Sequence, residues 1–273
     1  MLYDERGSMM FLKMNSLVLV ALGLMLLTGA TVATAEAAAD RTYHFGFKKS
    51  KNGSPASIDE EGFKPLLEKH GALYRADGSE KNLYVTFDNG YENGNMPKIL
   101  DTLKEKRVPA AFFVTGQFIR EQPELLKRIA AEGHIIGNHT WSHPDMTQIS
   151  DEKIAQELTR VKEQTLQLTG QKQMIYVRPP QGIFNERTLA VSQRLGYTNV
   201  FWSIAYVDWD VNRQKGWKYA YDQVVGQLHP GAVLLLHSIS KDNADALGAI
   251  IDAARQQGYT FQSLDRMMEL PPM

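Results

Sequence analysis

From residue 83 onward, short apolar runs alternate with longer amphipathic ones, and this alternation constrains the fold more than any other feature. Leu83 to Phe87 reads as a strand. Met96 to Lys106 reads as a helix with Pro97 in its first turn. Ala110 to Val114 is short and apolar, as a buried strand is. The pattern repeats: helix from Pro123 to Glu132, strand from Ile135 to Gly137, and helix from Asp151 to Thr169. In that last helix Ile154, Leu158, Val161, Thr165 and Leu168 recur at steps of three and four. Ile175 to Val177, Asn199 to Ile204, Ala232 to Leu236 and Tyr259 to Phe261 read as further strands. Helices at Asn185 to Leu195, Trp217 to Leu228 and Asp242 to Gln257 separate them. Strand and helix in alternation mean parallel strands joined by helical crossovers. About seven such units imply an α/β fold with a barrel-like sheet; an open doubly wound sheet is the alternative. In both, functional groups collect at the carboxyl ends of the strands.

Composition narrows the function. The chain has 273 residues, 43% of them hydrophobic, enough for a sizeable core. A formal net charge of -1 gives no electrostatic case for nucleic acid. With no cysteine, disulfides, Cys-zinc sites and thiol nucleophiles are excluded. Lys13 precedes the apolar run Leu17 to Leu27, and Ala33-Thr34-Ala35 and Ala37-Ala38-Ala39 both fit a small-x-small processing site. Residues 1–39 are therefore expected to be a signal peptide, with an uncleaved N-terminal anchor over Asn15 to Ala35 as the alternative. Either way the rest of the chain is expected to work outside the cytoplasm and to meet a membrane only through that segment. Residues 40–80 are polar, carry Lys48, Lys49 and Lys51, and are expected to form an extension packed on the barrel. The main domain is expected over 81–265, with a tail over 266–273.

The strand ends carry the chemistry. In "VTFDNGYENG" the pair Asn89-Gly90 is a hairpin signal, but no return strand follows, so Asp88 sits at a strand's carboxyl end. A backbone-bonding Asx turn is its structural alternative. In "GNHTWSHPD", His139 and His143 are four apart, and Pro144 argues that they lie on a loop rather than a helix. Arg178 opens "RPPQG", Asp208 and Trp209 follow the run ending at Ile204, and His237 follows Val233 to Leu236. Singly, each has a bland reading as ion pair, cap or satisfied loop histidine. Polar groups at five ends of one sheet fit an active site better.

In this order, "TFDNG", "HTWSHP", "RPPQG", "VDW" and "LLLHS" resemble the five motifs of the polysaccharide deacetylases, carbohydrate esterase family four or NodB homology domain. The resemblance implies a distorted (β/α) barrel of fewer than eight full units. Within the family, "FDNGYENG" and "HSISKDNADAL" are similar to the muramic-acid de-N-acetylases of spore-forming bacteria, which make muramic δ-lactam. It implies Asp88 as catalytic base, His237 as catalytic acid, Arg178 as holder of the base and Asp208 as the carboxylate tuning His237. It further implies His139 and His143 as metal ligands, with Asn89 at the third ligand position. Most of the family has Asp there, so the expected divalent metal, zinc, would be held weakly. Trp209, Tyr91 and the turn Pro180-Gln181-Gly182 would meet the substrate. The implied partner is a peptidoglycan glycan strand, handled by a cell-wall-associated monomer. Alternative readings are a deacetylase of N-acetylglucosamine or O-acetyl xylan residues, and a catalytically weak wall-glycan-binding protein.

Overall fold

The structure, a computed structural model, describes residues 41–46 and 48–269. The expected signal segment, residues 1–39, lies outside the described residues. The chain runs β1 (Tyr43–His44), α1 (Lys64–Lys69), β2 (Asn82–Asn89), α2 (Met96–Lys106), β3 (Ala110–Val114), α3 (Gly116–Glu121), α4 (Pro123–Ala131), β4 (Ile135–Asn138), α5 (Asp151–Thr169), β5 (Tyr176–Val177), β6 (Ile183–Phe184), α6 (Glu186–Arg194), β7 (Thr198–Asn199), α7 (Trp217–Val225), β8 (Ala232–His237), α8 (Lys241–Gln256), β9 (Thr260–Phe261) and α9 (Leu264–Glu269). Seven strands form one parallel sheet in the order β7-β5-β4-β3-β2-β8, and β9 also pairs with β2. Helices cover its outer face, so the fold is the distorted (β/α) barrel that the alternation and the motifs lead one to expect.

Strand β2 shows how the sequence sorts side chains. Successive residues of a strand point to opposite faces. Leu83, Val85 and Phe87 join the core between sheet and helices, with Ile99, Leu103, Leu247 and Ile251. Tyr84 joins the inner core with Phe113, Tyr176, Val233 and Leu235. Because both faces are covered, the strand reads as one continuous apolar run, broken only by the polar residues that approach its carboxyl end. The helices are held by the expected devices. In α5 the Ser150 hydroxyl accepts from the Lys153 amide, and Gly170 closes the helix at φ 73°. In α2 the Asn95 side chain makes no cap; the Glu92 carboxylate accepts the Met96 amide at 2.9 Å instead. Each fully buried Leu or Ile on these helices contributes about 1.5–3 kcal/mol.

Three features differ from the sequence reading. The run Asn199 to Ile204 is a regular strand only at Thr198–Asn199. Beyond it the chain changes partners: Asn199 pairs with Val177, Val200 bridges to Leu73, and Ile204 bridges to Leu234 of β8. A segment that crosses from one sheet edge to the other cannot keep a single ladder, and this crossing draws the two edges together. Residues 40–80, expected as an extension packed on the barrel, also supply core from their described part. Phe45, Phe63, Leu67 and Tyr74 are buried with Phe184, Phe201 and Trp202, and β1 pairs antiparallel with β6. Finally, α9 crosses the expected boundary at 265: Leu264 and Met267 are buried, and the Tyr176 hydroxyl donates to Asp265 at 2.8 Å. Among the described residues, no helix is long and apolar enough to cross a membrane.

Candidate active site

At the carboxyl ends of the strands lies a cavity of about 770 Å³. Asp88, Tyr91, His139, His143, Gln181, Gly182, Trp209 and His237 all line it. Arg178 and Asp208 lie behind this wall, both buried. Asp88 ends the inner face of β2 with Tyr84 and Thr86. Its Oδ1 accepts from Arg178 Nη1 at 2.7 Å. The guanidinium is fully buried, and its remaining donors reach the Val200 carbonyl at 3.0 Å, the Thr86 hydroxyl at 2.8 Å and the Phe201 carbonyl at 3.3 Å. A residue with this many fixed partners has one rotamer, so it fixes the carboxylate as well. Burial would push the Asp88 carboxyl up, but Arg178, with His139 and His237, holds it below the usual range.

The pair His139 and His143 converges from a loop, with ring centroids 4.8 Å apart. Two residues of that loop have left-handed backbones, Thr140 at φ 64° and His143 at φ 57°. Such conformations are costly for a β-branched Thr and cluster at functional sites. Here they are held by the Asn138 side chain, which accepts the Thr140 amide at 2.9 Å, and by the Thr140 hydroxyl, which accepts the His143 amide at 3.1 Å. His139 Nδ1 lies 2.8 Å from the Arg178 carbonyl. A carbonyl can only accept, so Nδ1 carries the proton and Nε2 a lone pair. That lone pair stands 3.5 Å from Asp88 Oδ2. Burial lowers the His139 pKa to about 4 and that of His143 in the same direction. Both rings are therefore neutral at pH 7, and His139 Nε2 and the Asp88 carboxylate face one another as two acceptors.

The opposite wall is built the other way. His237 ends β8, and its Nδ1 donates to Asp208 Oδ1 at 2.6 Å. Asp208 Oδ2 accepts the His237 amide at 2.8 Å and the Asn243 side-chain amide at 2.5 Å. Asn243 in turn accepts the Tyr206 hydroxyl at 2.5 Å. Burial would lower the His237 pKa, but the Asp208 charge and hydrogen bond raise it. Trp209 stands over this ring at 5.4 Å and is 41% exposed, and Tyr91 is 52% exposed.

Two expected site residues are placed differently. Pro180 is buried and does not line the cavity, whereas Gln181 and Gly182 do. Gly182 is at φ 67°, and a Cβ there would meet the Trp202 ring at 2.7 Å, so the turn requires glycine. Asn89 is fully buried and does not line the cavity either. It follows Asp88 in the strand and so faces the other way. Its amide nitrogen donates to the Ser238 hydroxyl at 2.9 Å and contacts the Met96 sulfur at 3.1 Å, while its Oδ1 is buried with no hydrogen-bond partner. Among the described residues, no three His, Cys, Asp or Glu side chains are grouped as ligands for one ion. Sequence reasoning missed Asn243 and Tyr206, which complete the Asp208 network; Asn243 lies within the quoted "HSISKDNADAL". It also missed Trp141 and Arg120 on the cavity wall. The Trp141 indole lies against Gly116, where a Cβ would meet it at 2.3 Å.

The profile of the family described as "Polysaccharide deacetylase" matches residues 75–200. The peptidoglycan-N-acetylmuramic acid deacetylase PdaA of Bacillus subtilis is 49% identical over 244 residues, covering 89% of this chain and 92% of that protein. The solved structure of Bacillus subtilis PdaA, a family 4 carbohydrate esterase, superposes with a TM-score of 0.80 over 84% of this chain and 98% of that one. A peptidoglycan-N-acetylglucosamine deacetylase of Bacillus cereus is 32% identical over 207 residues, covering 74% of each chain.

Proposed function

The chain belongs to the polysaccharide deacetylase family and is a hydrolase of it, and from that premise we propose that its cavity removes N-acetyl groups from the N-acetylmuramic acid residues of peptidoglycan. The observation that carries this reading is the opposed pairing of Asp88 with Arg178 and of His237 with Asp208 across one cavity. Amide hydrolysis needs a base for the attacking water and an acid for the departing nitrogen. Asp88, kept ionised by Arg178, accepts the water's proton through Oδ2, the oxygen that Arg178 leaves free. His237 enters protonated, because Asp208 favours the imidazolium, and donates to the sugar nitrogen as the C–N bond breaks. Acetate and the free amine are the products. Gln181 and Gly182 hold the acetyl end and Trp209 and Tyr91 flank the sugar.

A divalent cation, zinc in the family reading, fits part of this site. His139 offers a lone pair fixed by the Arg178 carbonyl, His143 is neutral beside it, and the two facing acceptors at His139 and Asp88 leave a place for positive charge. His139 and His143 would hold the ion; Asn89, turned to Ser238 and Met96, would not unless it reoriented. When bound, such a cation would polarise the acetyl carbonyl and make a water more acidic. With two neutral ligands it would be held loosely.

The muramic acid reading rests on the relative of 49% identity. On it, the amine set free can close onto the neighbouring lactyl carboxyl with loss of water, giving muramic δ-lactam of a spore cortex. Such a substrate places the protein outside the cytoplasm, at the wall. The same site would serve N-acetylglucosamine, a substrate the relative of 32% identity suggests. A glycan-binding protein of weak activity is the reading of another class; the neutral Asn89, where most of the family has Asp, is what it rests on. Mass spectrometry of purified glycan, incubated with protein and zinc, separates the readings. Loss of acetyl from muramic acid is expected. Loss from glucosamine alone replaces the substrate, and loss from neither leaves the binding protein.

A further inference from the structure

Two arginines flank one cavity-lining indole, and neither has an acidic partner among the described residues. The Arg120 guanidinium stands 5.2 Å from the centre of the Trp141 ring and that of Arg160 stands 3.9 Å from it. Arg128, Arg187, Arg194, Arg213 and Arg266 are each paired with a carboxylate; Arg75, Arg107 and Arg255 show no such pair among the described residues either, but none of these three lines the cavity. Trp141 and Arg120 both line the cavity, and Trp141 is two residues before His143. The indole is seated by design: it lies flat on Gly116, where any Cβ would collide with it, and its carbonyl accepts the Gly116 amide at 3.0 Å. Arg120 comes from the same helix, α3, one turn further on. On the wall that also carries His143, the cavity therefore has a guanidinium that rests on an indole and has no acidic partner among the described residues.

An N-acetylglucosamine residue offers nothing for such a charge, because it is neutral throughout. An N-acetylmuramic acid residue differs from it only by a lactyl ether on C3, the ring carbon next to the one bearing the acetamide, and that ether ends in a carboxylate. We propose that Arg120 is a specificity-determining residue that receives the free lactyl carboxylate while the acetamide lies between Asp88 and His237, with Trp141 holding the guanidinium and Arg160 adding positive potential behind it. The inference rests on the muramic acid reading and adds to it the group by which that sugar is recognised. Guanidinium–carboxylate pairing is charge-assisted and geometrically specific. It disappears when the carboxyl is reduced to an alcohol.

The test is a cycle between enzyme and substrate. One glycan is stripped of its stem peptides by an amidase. A second portion is then activated with carbodiimide and reduced with borohydride, which converts the lactyl carboxyl to an alcohol. Wild type is expected to show a KM about tenfold lower on the carboxylate glycan than on the reduced one, with kcat alike. That advantage should shrink as salt is raised. Arg120→Gln should abolish it, raising KM on the carboxylate glycan alone, and Arg120→Lys should restore part of it. Arg120→Gln losing equally on both glycans would make the arginine a mere support for Trp141 and overturn the proposal. If that variant does not fold, wild type alone decides: equal KM on the two glycans, with muramic acid still deacetylated, overturns the role of Arg120 only. No muramic deacetylation on either glycan overturns the parent reading and this one with it.

Discussion

The two walls of the cavity use the same residue type to opposite ends. On the wall made by His139 and His143, burial wins, and both imidazoles are held neutral. On the wall made by His237 an imidazole is raised instead, although burial opposes it there too. The difference is one partner. His139 gives its Nδ1 proton to a backbone carbonyl, which carries no charge; His237 gives its own to the Asp208 carboxylate. One neutral acceptor fixes a tautomer and leaves a lone pair for a cation. One charged acceptor favours the imidazolium, which on the proposed mechanism supplies the leaving group's proton.

The sharpest way to break this contrast is to remove its proton-carrying members. Asp88→Asn and His237→Ala should each lower kcat by about 10²–10⁴-fold, measured as acetate release, with the circular dichroism spectrum of the fold retained. Near wild-type turnover in both would dissolve the contrast as a catalytic one. Next in size is Arg178→Leu. It strands a buried carboxylate, so stability should fall by about 3–5 kcal/mol, read from urea denaturation midpoints. An unchanged midpoint would show that Asp88 takes up a proton at little cost.

Asp208→Asn sharpens the comparison by turning the charged acceptor into a neutral one. It preserves an oxygen for His237 Nδ1 but removes the charge that raises the ring. On the proposed mechanism activity requires the imidazolium, so it should be lost as pH rises through the raised His237 pKa. In the variant that alkaline limb should move to lower pH, about a unit or more. An unmoved limb in the pH profile of kcat would mean that His237 is not the acid. On the other wall, His139→Ala and His143→Ala should each weaken zinc binding in a calorimetric titration of chelator-stripped protein. Asn89→Asp should leave it unchanged, because that side chain faces Ser238 and Met96; a gain in affinity would show that it turns to the ion.

The smallest effect is on stability. His134 is buried with both ring nitrogens unpartnered, and burial lowers its pKa, as it does for His139, His143 and His229. A histidine with a depressed folded pKa loses stability as pH falls below its unfolded value of 6.5. The loss stops growing once pH passes the folded pKa. The melting temperature should therefore drop between pH 7 and 5. His134→Leu should flatten that slope by at most about 1.4 kcal/mol per pH unit. A slope unaltered in His134→Leu would mean that this imidazole is solvated.

Much of this site was legible because its chemistry sits at strand ends, and strand ends are visible where an apolar run stops. Asp88, Arg178 and His237 were found that way. Asn89, expected beside the metal, has its side chain turned to Ser238 and Met96, as the alternation of strand residues would lead one to expect for the neighbour of Asp88. Asn243, Tyr206, Trp141 and Arg120 were not legible, because they act from helices and loops whose approach depends on tertiary packing. The crossing at Val200–Ile204 was hidden for the same reason: a run of strand-like residues does not say that its hydrogen-bond partner changes midway.

The aromatic closure formed by residues 43–76 has a consequence for how the molecule comes into being. Tyr43 pairs with Phe184, and Phe45 stacks on Phe201 at 4.7 Å. The part of this fold made first therefore waits for partners made much later. Until then Phe45, Phe63 and Tyr74 have only one another and Tyr43 to pack on, without Phe184, Phe201 and Trp202, which complete their burial. Contacts of such long sequence separation slow folding and lengthen the life of sticky intermediates. Truncating the chain ahead of Phe63 should leave the cavity residues in place on paper yet yield a protein that aggregates on refolding, the cost falling on assembly rather than on the finished site.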